Sequence, residues 1–252
     1  METLLNQIEC YWTKRAPSYT DVVERNLSNG WDNVWANRLT SFFPYCENGC
    51  QRILDVGTGP GFFAIILSRR GHKVTAVDYT EAMLNEAKQN AGSLKERIEF
   101  RKMDAQNLEF PDCSFDVVVS RNLTWNLEDP AKAYSEWLRV LRPGGKLINF
   151  DANWYHYLFD ENAKQGFLND HLNVVKLGVE DFETYEDGAK MEEISRKLPM
   201  SVIRRPHWDM LTLLDLGATT VYTDTKASDS LWSEEEKINN ASKPGFIICA
   251  EK

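Results

Sequence analysis

The sequence predicts an α/β fold in which a mostly parallel β-sheet is flanked by helices. A short apolar run from Ile53 to Val56 leads into a glycine-rich turn, and a helical pattern begins at Phe62. A later strand pattern over 115–120 carries the apolar run Val117 to Val119, which is typical of a strand buried on both faces of a parallel sheet. The chain of 252 residues is long enough for one large domain of this class, and we expect residues 1–252 to form a single domain.

The composition argues against several classes of protein. Hydrophobic residues make up 42% of the chain and charged residues 27%, which indicates a globular protein. The formal net charge is −9 and no basic run could follow a phosphate backbone, so we expect no nucleic-acid partner. No segment approaches the roughly 18 consecutive apolar residues of a membrane span, and the N-terminus lacks a signal-peptide pattern, so we expect no membrane contact and a cytoplasmic location. The five irregularly spaced cysteines match no zinc-site pattern, and we expect no bound metal.

The glycine-rich turn carries Gly57, Gly59 and Gly61 in the spacing G-x-G-x-G, and Asp55 lies two residues before the first of them. Glycine permits a tight turn and lets a ligand approach backbone N–H groups at the start of a helix. In the dinucleotide-binding fingerprint, G-x-G-x-x-G, the third glycine comes one residue later. The shorter spacing resembles motif I of the class I S-adenosylmethionine (SAM)-dependent methyltransferases. In that family the loop lies against the amino-acid part of SAM, which implies cofactor contacts for Asp55, Thr58 and the three glycines.

Residues 1–45 are rich in aromatic side chains and are predicted to form a helical cap, with Pro17 breaking or starting a helix. Tyr11, Arg15 and Tyr19 match an N-terminal stretch, Y-W-x-x-R-A-x-x-Y, of small-molecule methyltransferases of this class. The resemblance implies that this stretch closes over SAM, with Arg15 near the methionine carboxylate and Tyr19 over the sulfonium. The alternative is that the aromatic residues only pack the cap onto the sheet.

The second predicted strand ends at Asp78, 17 positions beyond Gly61. An acidic residue at this position accepts hydrogen bonds from ribose hydroxyls, because a carboxylate offers acceptors to both of them. The alternative is that Asp78 caps the next helix, although Thr80 is itself a suitable cap residue. Tyr79 and Met83, which follow on the chain, are placed in the same predicted cofactor site.

A third predicted strand over 97–102 runs into Asp104 and Ala105. In the family an acidic residue followed by a small one contacts the adenine amino group at this point of the chain. The resemblance therefore implies adenine contacts for Asp104 and Ala105.

The fourth predicted strand is followed by Arg121 and Asn122, in a segment that extends to Trp125. Ligands in open α/β sheets bind outside the carboxyl ends of the strands, so this segment should face both SAM and the methyl acceptor. It is not the N-P-P-Y or D-P-P-Y motif that family members carry when they methylate adenine, cytosine or glutamine amides. The acceptor is therefore expected to belong to another class.

A helix over 128–141 is followed by a Leu-Arg-Pro-Gly-Gly-Lys-Leu stretch that resembles the helix-to-strand turn of the family, and a fifth strand is predicted over 146–151. A helix over 206–217 and strands over 218–224 and 246–250 complete the pattern. The resemblance covers residues 50–151 and implies a Rossmann-like, seven-stranded methyltransferase sheet whose last strand is antiparallel.

Residues 152–205 exceed what the family needs between its fifth strand and its last hairpin. The segment carries an aromatic cluster at 154–159 and leaves the carboxyl end of the fifth strand. We predict an inserted lid over the acceptor. The alternative is an ordinary surface subdomain or a dimer contact.

Methyl transfer from SAM is an in-line displacement, in which positioning supplies much of the catalysis and a general base is needed only if the acceptor must lose a proton. The candidate catalytic bases are His156, His207 and Asp151. For a lone histidine, a packed or surface role is the alternative.

The resemblance implies a cytoplasmic enzyme, similar to the group around the quinone-biosynthesis methyltransferases, that transfers a methyl group from SAM to a small-molecule acceptor and releases S-adenosylhomocysteine. A monomer or homodimer is expected. Two alternatives stay open: a non-catalytic SAM-binding subunit or sensor, and an NAD(P)-dependent oxidoreductase. The glycine spacing and the Pro-Gly-Gly turn count against the oxidoreductase.

Overall fold

The computed structural model describes residues 3–182 and 187–252. Two helices, α1 (Leu4–Ser28) and α2 (Trp31–Thr40), precede the sheet. The elements that follow are β1 (Arg52–Val56), α3 (Phe62–Arg69), β2 (Lys73–Asp78), α4 (Glu81–Ala91), β3 (Ile98–Lys102), β4 (Phe115–Arg121), α5 (Pro130–Val140), β5 (Leu141–Asp151), α6 (Glu161–Leu177), α7 (Gly188–Ser195), α8 (His207–Asp215), β6 (Thr220–Asp224), α9 (Ser228–Leu231), α10 (Glu234–Asn239) and β7 (Phe246–Glu251). Of the helices that the structure describes, none is long and apolar enough to cross a membrane.

The seven strands form one sheet in the order β3-β2-β1-β4-β5-β7-β6. Strands β1 to β5 pair in parallel, and β7 runs antiparallel to both β5 and β6. This confirms the predicted sheet with an antiparallel last strand. The strand order reverses between β1 and β4, and a crevice opens at the carboxyl ends of the strands at such a point.

Apolar clusters cover both faces of the sheet. Val117 and Val119 of β4 contribute to a cluster that also contains Trp35 of the helical cap. Val118 contributes to a second cluster on the other face, around Trp137 of α5. Because side chains alternate along a strand, burial on both faces explains the three consecutive valines of β4, Val117 to Val119.

The predicted helix boundary at Pro17 is wrong, because Pro17 lies inside the single helix α1. A proline in a helix interior costs about 3 kcal/mol, since it lacks the backbone N–H and its ring clashes with the preceding turn. Helix α1 buries Tyr11, Ala16 and Val23 on both sides of Pro17. Tertiary packing of this kind stabilises most helices in proteins, and here it offsets the cost of the proline.

Strand β5 begins at Leu141 rather than at Lys146, so the Pro-Gly-Gly stretch lies in its irregular first part, where the register with β4 shifts. A Cβ atom on Gly145 would lie 3.0 Å from the carbonyl oxygen of Asp116. Glycine therefore allows the two strands to approach closely at this point.

Two segments extend beyond the sheet and its covering helices. The predicted insertion, 152–205, contains α6 and α7, and a second one between β6 and β7, 225–245, contains α9 and α10. Sequence analysis missed the second segment. The two segments contact each other, since Asp170 accepts hydrogen bonds from the backbone and the hydroxyl of Ser242 at 3.0 and 2.6 Å.

Asp55 is buried beneath the glycine-rich turn. Its Oδ2 accepts hydrogen bonds from the Thr58 hydroxyl at 2.6 Å and from the backbone N–H of Ala64 at 2.9 Å. Burial raises the pKa of the Asp55 carboxyl to about 7, and the two donors offset only part of this effect. The side chain thus ties the turn to α3 from within the core.

Replacing Asp55 with Asn should make the free energy of unfolding less dependent on pH. Because the pKa of Asp55 rises from 3.8 to about 7 on folding, the wild type binds one more proton folded than unfolded between these values. As the pH rises through this range, the free energy of unfolding of the wild type should therefore fall by about 1.4 kcal/mol per pH unit, about 4 kcal/mol in all, relative to that of Asp55→Asn. Urea unfolding of both proteins at several pH values measures the difference. Parallel pH profiles of the two proteins would show that the pKa of Asp55 does not rise on folding.

Candidate functional site

Two adjoining cavities lie at the carboxyl ends of the central strands. The first, the glycine-loop cavity, has a volume of about 100 Å³. Of the predicted cofactor residues, those that line it are Tyr19, Gly57, Gly59, Asp78, Tyr79, Met83, Asp104, Ala105, Arg121 and Asn122. The second, the aromatic cavity, has a volume of about 260 Å³ and extends along α1. The residues common to both cavities are Trp12, Tyr19, Arg121 and Asn122.

The glycines of the loop adopt left-handed backbone conformations, and Gly57 has a further constraint. A Cβ atom on Gly57 would lie 2.6 Å from Leu123, so any side chain would collide with the wall of the cavity. The backbone N–H groups of Gly57 and Thr58 both donate to the carbonyl of Val77, and that of Gly59 donates to Asp78. The loop therefore allows close approach of a ligand without the free N–H groups that a pyrophosphate site needs.

Asp78 is half-buried at the end of β2, where its carboxylate accepts hydrogen bonds from the backbone on both sides of it. Its Oδ2 accepts a hydrogen bond from Gly59 N–H at 2.9 Å, and its Oδ1 accepts one from Thr80 N–H at 2.8 Å. Thr80 occupies the N-cap position of α4 as expected, but its side chain makes no cap hydrogen bond. Burial raises the pKa of Asp78, against the opposing effect of these donors. Each carboxylate oxygen retains a lone pair for a ligand hydroxyl.

Asp104 is fixed at the opposite wall of the glycine-loop cavity. Its Oδ1 accepts hydrogen bonds from the backbone and the side chain of Gln106, at 2.9 and 3.2 Å. Gln106 was not among the predicted residues, although it lies only two positions beyond Asp104 in the sequence and also lines the cavity.

Several predicted cofactor residues lie outside the glycine-loop cavity. Asp55, Thr58 and Gly61 lie on the side of the loop that faces α3 and α4. Asp55 accepts hydrogen bonds from Thr58 and Ala64, and a Cβ atom on Gly61 would lie 3.0 Å from the Cβ of Ala87. Tyr11 and Arg15 line the aromatic cavity instead.

Aromatic rings surround the junction of the two cavities. Trp12, which sequence analysis did not select, donates from Nε1 to Asn126 Oδ1 at 2.6 Å and packs against Tyr11 with ring centroids 5.3 Å apart. Trp125 and Tyr155 are 5.0 Å apart on the other side. The helical spacing of the aromatic residues in α1 was the signal that could have identified Trp12.

Arg121 lies at the junction with its guanidinium over the rings of Trp35 and Phe62, at 4.6 and 5.0 Å. Its Nε and the Oδ1 of Asn122 are buried without a hydrogen-bond partner among the described residues. Buried polar atoms are rarely left unpaired, so both atoms indicate that a polar ligand belongs here.

None of the three candidate bases lines either cavity, so the geometry of the cavities does not support them as catalytic groups and their role stays a prediction. His207 is exposed at the start of α8. His156 lies with Nδ1 3.1 Å from the carbonyl oxygen of Ser201. Asp151 is fully buried, and Arg205 donates to its Oδ2 at 2.6 Å.

Asp151 instead positions two walls of the aromatic cavity. Its Oδ2 accepts a hydrogen bond from the backbone N–H of Trp125 at 3.1 Å, and its Oδ1 accepts one from the indole N–H of Trp154 at 3.0 Å. Arg205 in turn donates to both carboxylate oxygens of Asp209. The two carboxylates hold the pKa of Arg205 well above its usual value despite its burial. A buried charge network thus connects β5, the inserted segment and the cavity.

The glycine-loop cavity fits a nucleoside with a charged side arm. The carboxylates of Asp78 and Asp104 can accept hydrogen bonds from hydroxyl and amino groups, and Met83 offers an apolar contact for a ring. Arg121 and Asn122 supply an unpaired donor and acceptor toward the second cavity. Within the described ranges, no group of three or more His, Cys, Asp or Glu residues is arranged to hold a metal ion.

Comparison with known proteins agrees with this geometry. Residues 54–149 match a family model described as a methyltransferase domain. A demethylmenaquinone methyltransferase from Deinococcus radiodurans is 39% identical over 135 residues, which cover 53% of this chain and 55% of that protein. A ubiquinone/menaquinone biosynthesis C-methyltransferase from Geotalea daltonii is 28% identical over 84% of this chain and 92% of its own length. The crystal structure of a SAM-dependent methyltransferase from Aquifex aeolicus aligns with a TM-score of 0.56 at 18% identity, over 92% of this chain and 97% of that one.

The chain thus spans little more than half the length of the Deinococcus protein. The structural similarity confirms the fold, and the matched domain lies within the part of the chain where the motifs occur. The predicted resemblance to class I SAM-dependent methyltransferases, including those of quinone biosynthesis, is confirmed.

Replacing Arg205 with Met should lower the free energy of unfolding by about 3–5 kcal/mol, because it leaves the buried carboxylates of Asp151 and Asp209 without a counter-charge. Arg25→Met is the matched control, since the ion pair between Arg25 and Glu180 is solvent-exposed and should contribute less than about 1 kcal/mol. Chemical unfolding of both variants measures the difference. Equal losses would mean that the buried network contributes no more than a surface pair.

Proposed function

We propose that this chain transfers a methyl group from SAM to a small-molecule acceptor and releases S-adenosylhomocysteine. The observation that carries the proposal is the junction of the two cavities at Trp12, Tyr19, Arg121 and Asn122. Two reactants held in adjoining cavities with their reacting atoms in line react far faster than the same molecules in solution. SAM, when bound, supplies an electrophilic methyl group.

Different residues of the glycine-loop cavity would bind different parts of SAM. Asp78 would bind the ribose hydroxyls, and Asp104 and Ala105 would contact the adenine. Gly57 and Gly59 would lie against the amino-acid part, as the resemblance implies, and the open space is beside Gly59, where an added Cβ would meet nothing nearer than Tyr19 at 3.8 Å. Tyr19, which lines both cavities, would cover the sulfonium region.

The side chains of the aromatic cavity favour catalysis by positioning. The four residues at its junction with the glycine-loop cavity include no histidine, cysteine, lysine or carboxylate, and the two carboxylates that line the aromatic cavity, Glu235 and Glu236, lie on α10. Rings such as those of Trp12 and Tyr19 would stabilise the cationic donor by about 0.5–2 kcal/mol each. The acceptor would then react through an atom that is already nucleophilic.

The named activities of the similar proteins favour a ring-containing acceptor of the kind found in quinone biosynthesis. The eight aromatic side chains around the second cavity are consistent with such a ring: Tyr11, Trp12, Tyr19, Trp125, Trp154, Tyr155, Phe182 and Trp232. Formation of S-adenosylhomocysteine on a panel of acceptors would separate this function from that of a non-catalytic SAM-binding subunit. A cytoplasmic location and a monomeric or homodimeric state stay predictions.

The wild-type protein should bind SAM and not NADH, and calorimetric titration with each ligand measures the two affinities. Preference for NADH would favour the oxidoreductase alternative.

Replacing Asp78 with Ala should weaken SAM binding by about 1–3 kcal/mol, because buried ribose hydroxyls lose a charged acceptor. Calorimetric titration of the variant with SAM measures the loss, and circular dichroism checks that the variant is folded despite losing the bonds from Gly59 and Thr80. An unchanged SAM affinity in the folded variant would reduce Asp78 to a helix cap.

We also propose that the chain is a single methyltransferase domain in which α1 and residues 152–205 close over the acceptor. From the second segment, Trp154, Tyr155, Phe182 and Met191 line the aromatic cavity. Residues 183–186 of that segment lie outside the described residues and do not enter the argument.

Hydrogen exchange with and without S-adenosylhomocysteine tests this closure. Amides in α1 and in α7 should gain protection when the ligand is bound, because both helices line the cavities. Amides of β6, at the far edge of the sheet, serve as the internal control and should not change. If α1 and α7 exchange at the same rate in both states, the two segments are a fixed part of the surface.

A further inference from the structure

The aromatic cavity changes in character along α1. The residues of α1 that line it recur every three or four positions, through Trp12, Arg15, Tyr19, Val22 and Asn26. At 1.5 Å per residue, Trp12 and Asn26 are about 21 Å apart along the helix axis. The cavity is therefore elongated, with rings near the junction and polar groups toward its other end.

Two buried asparagines stand at the polar end. Asn26 is 6% exposed, lines the cavity and makes no side-chain hydrogen bond to any described residue. Asn240 is 7% exposed, and its Nδ2 donates to the carbonyl of Glu236 at 3.0 Å. The Oδ1 of Asn240 is buried without a partner among the residues described. A buried amide that lacks its hydrogen bond costs about 1–3 kcal/mol, which a suitable ligand would recover.

The two asparagines come from segments that are far apart in sequence. Asn26 belongs to α1, and Asn240 follows α10 in the segment between β6 and β7. Asn239 holds that segment in place, since its Nδ2 donates to the carbonyl of Glu180 and its Oδ1 accepts from Phe182 N–H, both at 2.9 Å. The polar end is thus built by three parts of the chain.

We propose that the acceptor carries, beside the ring that is methylated, a polar arm with hydroxyl or amide groups that bind to Asn26 and Asn240. This inference rests on the proposed function. A hydrocarbon arm would leave the amide of Asn26 and the Oδ1 of Asn240 unpaired, and sites with buried polar groups discriminate strongly against ligands that cannot pair them. The arm, rather than the ring, then selects this acceptor among related aromatic compounds.

Calorimetric titration of the protein saturated with S-adenosylhomocysteine tests the proposal with two ethers of the same ring. Naphthyl β-glucoside carries a hydroxylated arm, and naphthyl hexyl ether carries a hydrocarbon arm of similar length. The glucoside should bind about tenfold or more tightly than the hexyl ether. Asn26→Leu and Asn240→Leu should each remove most of this preference.

Asn169→Leu is the control variant, because Asn169 is exposed on α6 and lines neither cavity. It should leave the preference unchanged, and affinity for S-adenosylhomocysteine should be the same in all three variants. Equal or tighter binding of the hexyl ether by the wild type would overturn the proposal, as would an unchanged preference in the two asparagine variants. Failure to bind S-adenosylhomocysteine, measured first, would count against the proposed function itself.

Discussion

The buried ion pair between Asp151 and Arg205 is the contact on which the acceptor side of the molecule depends. Both side chains are fully excluded from solvent, and they join the end of β5 to a residue 54 positions later in the chain. Removing two charges from water is costly, and the cost is offset only when each charge is paired and further hydrogen-bonded. Asp151 meets that condition by accepting bonds from Trp125 and Trp154. The pair therefore fixes the cavity wall as well as the inserted segment.

Many of the residues that line the glycine-loop cavity could be predicted from sequence because the motifs that carry them are local. A strand, a glycine turn and a helix follow one another within about 20 residues, and the position of Asp78 follows from the next strand. The acceptor side could not be predicted in the same way. Asp151 was selected as a base because nothing in the sequence shows that Arg205 neutralises it. Trp232 and Asn240 were missed because a connection between two strands gives no periodic signal that it will fold over a distant helix.

Where local reasoning failed, tertiary packing outweighed intrinsic preference. Pro17 should interrupt a helix, yet the burial of Ala16 and Val23 keeps α1 continuous. The loop N–H groups, expected to face a ligand, are bonded to Val77 and Asp78. The second departure lies at the glycine-loop cavity, which Gly57 and Gly59 line, whereas Pro17 is exposed and lines neither cavity.

The separate origin of the two cavities has a consequence for how such a protein diversifies. The glycine-loop cavity is built by α1 and by the segments that follow strands of the sheet, whereas the polar end of the aromatic cavity depends on the connection between β6 and β7. That connection joins neighbouring antiparallel strands, which a short hairpin could link equally well. Its first part, with Ala227, Leu231 and Trp232, packs into the apolar cluster on the sheet, so only the part beyond Trp232 can change without disturbing that cluster. On the proposed function, a new sequence around Asn240 would alter which acceptor fits while the residues of the glycine-loop cavity stay the same.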